Sequence, residues 1–167
     1  MNRFLLTRRH VFAAAAAATS LLGLAAAASA QAPAGQKKEA KVHRLAIHVD
    51  DNDAAKMNLA LNNAANVTEY YTGKGEQVEI EIVVYGPGLH MLREDTVPPA
   101  IKSRLKSFRE SFPEIVFAAC ENTRTAMAKA EGKQPGDIPL VEYAKSVTAG
   151  VVRLIELQEE GWAYVKP

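Results

Sequence analysis

Cys120 is the only cysteine in the 167-residue chain. It closes the stretch Glu114-Ile115-Val116-Phe117-Ala118-Ala119-Cys120, and Glu121-Asn122-Thr123 follow it. The first part reads as a short buried strand and the second as the opening of a helix. The thiol therefore falls where the carboxyl edge of a sheet meets a helix start. Open α/β sheets bind their ligands at that edge. Backbone N–H groups at a helix start, here near Thr123 and Arg124, favour an anion, and a thiolate is one. The chemistry such a position supports is that of a nucleophilic thiolate. The competing reading is a small packed residue at a strand end, since free cysteine is among the most buried residue types. Glu121 favours that second reading, because an ionised carboxylate beside a thiol opposes the thiolate.

His90 lies in the loop after the second strand, at the same sheet edge. It can serve Cys120 as base or proton donor in the manner of activated nucleophiles; otherwise it is a solvated loop histidine. Asn122 is the polar neighbour at the helix start and a supporting group. Asp50, Asp51 and Asp53 end the first strand, where oxygen ligands can gather a divalent cation. Their spacing is not that of an EF-hand loop, and helix capping by Asn52 or Asp53 is the plainer reading. No metal or cofactor is assigned. His48 reads as a packed strand residue, and Tyr85 and Trp162 as core or interface aromatics. Gly86-Pro87-Gly88 is too short for a phosphate-binding fingerprint. It reads as a tight turn that brings backbone close to a pocket or a neighbouring subunit. A single cysteine excludes an intrachain disulfide, a CxxC redox site and a cysteine-cluster metal site.

The elements that must position these residues follow in order. Val42 to Val49 is a strand with the weak alternation of one covered on both faces. Ala54 to Tyr71 is a helix with Met57, Ala60, Leu61, Ala64, Thr68 and Tyr71 on one face. Asn58, Asn62 and Asn66 form a second stripe, either solvated or set against a neighbouring subunit. Thr72-Gly73-Lys74-Gly75 stops this helix. Val78 to Tyr85 is the second strand. Pro98 and Pro99 open a helix whose buried face is Ile101, Leu105, Phe108 and Phe112. After Cys120, Asn122 to Glu131 is helical. Lys133 to Pro139 is a loop, and Leu140 to Val147 holds a short fourth strand. Thr148 caps a helix with the face Val151, Val152, Leu154, Ile155 and Leu157, and Trp162 to Val165 is a last strand. This alternation predicts an α/β fold with a parallel sheet of about five strands and helices on both faces.

The first thirty residues stand apart. Arg3, Arg8 and Arg9 precede an uncharged run from Val11 to Ala28, and Ala28-Ser29-Ala30 has the small-x-small pattern of a signal-peptidase site. Thr7-Arg8-Arg9-His10-Val11-Phe12 resembles a twin-arginine export signal. A Sec signal or an uncleaved anchor competes with it. Residues 1–30 are thus read as an export signal, 31–40 as a linker and 41–167 as the domain, with a periplasmic location and no membrane span after cleavage. Removal of the signal takes away three arginines and no acid, leaving 17 Lys+Arg against 19 Asp+Glu and a net charge of −2 instead of +1. That balance gives no basic footprint for nucleic acid.

Four segments carry a resemblance to the DsrE/DsrF-like family, in its exported branch. They are Met57-Asn58-Leu59-Ala60-Leu61-Asn62-Asn63, Val84-Tyr85-Gly86-Pro87-Gly88-Leu89, Phe117 to Thr123, and Gly150 to Tyr164. The resemblance implies a small flavodoxin-like domain that assembles into trimers or hexamers. It also implies that the cysteine ending the third strand, here Cys120, carries sulfur as a persulfide between donor and acceptor proteins. Glu121 departs from the glycine the resemblance leads one to expect after that cysteine. An oligomeric binding module with a structural cysteine is the alternative.

Overall fold

The computed structural model describes residues 41–167; the segments read as export signal and linker, 1–30 and 31–40, lie outside the described residues. Five strands form one parallel sheet: β1 (Val42–Val49), β2 (Gln77–Val84), β3 (Val116–Cys120), β4 (Ala144–Val147) and β5 (Ala163–Val165), in the order β4-β3-β2-β1-β5. Helices α1 (Ala54–Thr72), α2 (Pro99–Ser111), α3 (Glu121–Ala130) and α4 (Gly150–Glu159) connect them. The last five residues of β1 and of β2 are all buried, which is why neither strand alternates in sequence. This is the flavodoxin-like α/β arrangement.

Right-handed crossovers divide the helices between the two faces. The chain steps from β1 to β2, β3 and β4 in one direction, so α1, α2 and α3 share a face. The return from β4 to β5, on the far side of β1, carries α4 across the other. Two apolar clusters record the division. Leu45, Ile47, Ile80, Ile82 and Phe117 pack under α1 and α2, whereas Ala46, Val83 and Ala118 pack under Leu154 and Leu157 of α4.

Local sequence explains most of these elements. Asp53 caps α1, its carboxylate accepting from the Ala55 N–H at 2.7 Å. Helix α2 has no side-chain cap but buries Ile101, Leu105 and Phe108. Each contributes roughly 1.5–3 kcal/mol, more than the ~1 kcal/mol of a missing cap bond. Two residues of the asparagine stripe of α1 are engaged within the domain, while Asn66 is exposed. Arg104 of α2 donates to Asn58 Oδ1 and Asn62 Oδ1, tying the two helices together.

Three expectations are corrected. Gly86 to Met91 is one 3-10 helix rather than a tight loop leading into a separate segment. Thr148 does not cap α4; Ala149 takes that position without a side-chain bond. The expected apolar face of α4 is only partly buried: Leu154 and Leu157 turn inward, while Val151, Val152 and Ile155 are exposed. A single helix crossing a sheet can bury only one stripe. Arg153 draws that helix down through paired hydrogen bonds of 2.8 Å to both carboxylate oxygens of the buried Glu81.

The 3-10 helix starts by pressing against the end of β1. A Cβ on Gly88 would lie 2.4 Å from the Val49 carbonyl oxygen and 2.9 Å from the Asp50 Cα, both backbone atoms that cannot rotate away. Gly88→Ala is expected to destabilise the domain by about 1–3 kcal/mol, read as a lower urea midpoint. Gly136→Ala, where nothing lies within 4 Å of the added carbon, is the control that leaves the midpoint nearly unmoved.

Candidate functional site

Cys120 is the last residue of β3 and itself the N-cap of α3, which begins at Glu121, one residue earlier than the sequence suggests. Its Sγ accepts a hydrogen bond from the Thr123 N–H at 3.4 Å. The strand brings the sulfur to the carboxyl edge, and the helix start turns a backbone donor onto it.

The position has a topological meaning. Cys120 pairs with Val147 of β4. From the ends of these two neighbouring strands, α3 leaves over one face and α4 over the other. Ligands of open α/β sheets bind at such a switch point. The two departing loops are joined where the Asn122 N–H donates to the Thr148 carbonyl at 3.1 Å. Thr123 links a third loop, its hydroxyl accepting from the Gly86 N–H at 2.9 Å.

Cys120 is only 4% exposed. The thiol therefore sits at the sheet edge but under cover. Strand alternation places it on the α4 side. Val83 and Ala118 are register partners in the α4 cluster, and two residues further along each strand come Tyr85 and Cys120. The Tyr85 ring fits there because Gly150 has no side chain; a Cβ on Gly150 would come within 2.7 Å of Tyr85 Cδ1.

Glu121 does not stand as a free charge beside the thiol. Its carboxylate accepts from Arg124 Nη1 at 3.3 Å and from the Ser146 hydroxyl. Arg124 offsets the repulsion that the sequence order implies.

His90 and Asn122 come together, but the hydrogen-bond partner of Cys120 is Thr123 and not His90. His90 Nδ1 is 2.6 Å from Thr96 Oγ1. Both His90 and Asn122 line an open groove of about 540 Å³ with Gly86, Pro87, Thr123 and Met127. The groove thus runs beside the residue that holds the sulfur, over the 3-10 helix and the first turns of α3.

The acids ending β1 are otherwise employed. Asp53 caps α1, Asp51 pairs with Lys56, and Asp50 pairs with Lys166 at 2.7 Å. Among the described residues no group of three or more His, Cys, Asp or Glu is placed to hold a metal ion. No described helix is long and apolar enough to cross a membrane.

Two arrangements were not visible to sequence reasoning. The first joins His48, Tyr85 and Tyr164. Tyr85 stacks on His48 with ring centroids 4.6 Å apart, and Tyr164 approaches from a strand more than a hundred residues away. The second is Arg93, 3% exposed, which forks between Asp95 and Glu131. It ties the segment after His90 to the end of α3. A charge just past a helix signals only a solvated cation, so nothing local announces a buried one.

The chain belongs to the DsrE/DsrF-like family, whose model matches residues 8–167. Among solved structures it is similar to MTH1491 of Methanobacterium thermoautotrophicum, described as a protein of unknown function. The two are 32% identical with a TM-score of 0.57, over 75% of this chain and 99% of that one. No curated protein matches.

The Arg93 clamp predicts a pH dependence. Bonding to Arg93, and secondarily to Lys133, holds the Glu131 carboxyl down to about 2 from an ordinary 4.5. A depressed acid stabilises the fold fully above its unfolded value and loses that contribution as pH falls through its folded one. Arg93→Met is expected to lower Tm at neutral pH, with the gap to wild type narrowing from about pH 4.5 towards 2. A gap constant over that window, followed by thermal melts at stepped pH, would refute the clamp.

Proposed function

We propose that this protein is a sulfane-sulfur carrier in which Cys120 accepts and passes on a single sulfur atom. The observation that carries the reading is the sulfur's place at the switch point with the Thr123 N–H on it. Membership of the DsrE/DsrF-like family supports it. In the first step the Cys120 thiolate attacks the terminal sulfur of a donor persulfide. A Cys120–sulfur bond forms, the donor's S–S bond breaks, and the donor leaves as a thiolate that takes up a proton. In the second step an acceptor thiolate removes that outer sulfur and Cys120 returns to its thiolate. The pair of exchanges involves no net oxidation. His90 supplies or receives the proton from the adjoining groove, and Asn122 orients the incoming group. The groove admits the donor and acceptor proteins. We further propose export through the twin-arginine-like signal to the periplasm and assembly into trimers or hexamers.

A second reading has its own support. Cys120 is 4% exposed, while Val151, Val152, Ile155, Tyr164 and Val165 are exposed apolar side chains. Both features suit an oligomeric binding module with a packed cysteine. In the carrier reading, the cover over Cys120 opens when a donor arrives.

The mature protein treated with a polysulfide is expected to gain mass in whole sulfur atoms, removable by cyanide and absent in Cys120→Ser. Alkylation of Cys120 is expected to be slow in the native protein and fast in denaturant. A folded protein that takes up no sulfur from the polysulfide leaves the binding module.

A further inference from the structure

His48 is the last residue but one of β1, 6% exposed, on the face that α4 covers. Its Nδ1 is 2.7 Å from the Tyr164 hydroxyl. Its Nε2 is buried without a hydrogen-bond partner. The nearest charge to that nitrogen is Asp50 Oδ2 at 3.5 Å, and this carboxylate oxygen already accepts from Lys166 at 2.7 Å. His48, Asp50 and Pro167 also line one small cavity with Asp51 and Lys56.

Two of these contacts, Tyr164 to His48 and Lys166 to Asp50, hold the C-terminal segment. Strand β5 has three residues, each exposed, and it pairs with β1 alone at the sheet edge. So short an edge strand belongs to the low-stability end of a fold. Its side-chain anchors, Tyr164 on His48 and Lys166 on Asp50, therefore weigh heavily in keeping it docked.

We propose that His48 is a proton-operated latch: protonation of its imidazole releases β5 and the C-terminal tail from the β1 edge. The neutral ring accepts the Tyr164 hydroxyl proton at Nδ1 and keeps its own hydrogen at Nε2, facing Asp50. A proton added at Nδ1 turns both nitrogens into donors. The Tyr164 hydroxyl must then rotate to accept, and the new cation competes with Lys166 for Asp50.

The other charged groups around the ring already have partners. Asp51 is held by Lys56. Tyr85 offers a stacked ring face. On α4, which crosses this face, Arg153 is held by Glu81. Burial is the main reason the closed site resists the proton; Asp50 pulls the other way, Lys166 adds repulsion, and Asp51 again favours the charge.

The sign follows from linkage. The docked state holds His48 below its ordinary 6.5, and release returns it to water. Docking is therefore fully favoured above that value. It weakens about tenfold per pH unit below it until the docked imidazole also titrates. The latch needs no chemistry at Cys120, so it stands or falls apart from the carrier reading.

Trp162, the only tryptophan, is half-buried immediately before β5 and reports on its docking. Its emission and acrylamide quenching are followed from about pH 8 to about pH 5, the range of histidine titration, with far-UV circular dichroism as the check on the fold. Wild type is expected to shift red and become more quenchable as pH falls below 6.5, with the far-UV signal retained. His48→Gln is expected to lose this transition. Tyr164→Phe, which removes one hydroxyl from an exposed strand, is expected to be more quenchable already at neutral pH and to change less with acid. The proposal is overturned by a flat Trp162 signal in wild type, or by an acid change that appears only as the far-UV signal collapses. It is equally overturned by an unaltered transition in Tyr164→Phe, which decides the matter should His48→Gln fail to fold.

Discussion

A parallel strand can be followed by its neighbour only through a crossover, and right-handed crossovers fix which face each helix covers. Three steps in one direction place α1, α2 and α3 together; one long return places α4 by itself. This asymmetry makes the gap between the ends of β3 and β4 the point where the helices part. Cys120 ends β3, so the thiol lies in that gap by topology before any side-chain contact is considered. The same asymmetry leaves the second face thinly covered, with Leu154 and Leu157 inward and three apolar neighbours outward.

The carboxyl edge is closed by backbone brought unusually near backbone. Gly88 abuts the end of β1, and Gly86 adopts a positive φ of 53° while donating to Thr123. Gly150 leaves room for Tyr85. Within this edge Cys120 is 4% exposed, and one backbone donor is directed at its sulfur. In the carrier proposed above, such burial would keep a persulfide from water and stray thiols between encounters, and each exchange would require local opening. The groove beside it, with His90 and Asn122, is where such opening would begin.

Charges at the margins of the sheet hold the loops in place. Arg153 meets Glu81 under α4, Arg93 joins the segment after His90 to α3, and Arg104 binds α1 to α2. Each arginine offers several fixed donors and so can span two acceptors at once. Removing one partner would leave the other poorly solvated, so these pairs specify position more than they add stability.

The amino-acid sequence by itself determined the strand–helix alternation, the inward faces of α1 and α2, a cap at Asn52 or Asp53 and the place of Cys120 at a strand end. All of these depend on neighbours within one or two turns of chain, where periodicity and helix-terminus chemistry operate. Tertiary structure alone decided that Cys120 is covered and that the asparagine stripe serves Arg104. It also decided that α4 buries only Leu154 and Leu157 of its expected face and that His48 meets Tyr164. The reason is physical: burial and ion pairing depend on which distant segment the sheet order brings alongside, and no local pattern in His48 or Asn58 encodes the strand or helix that will face it.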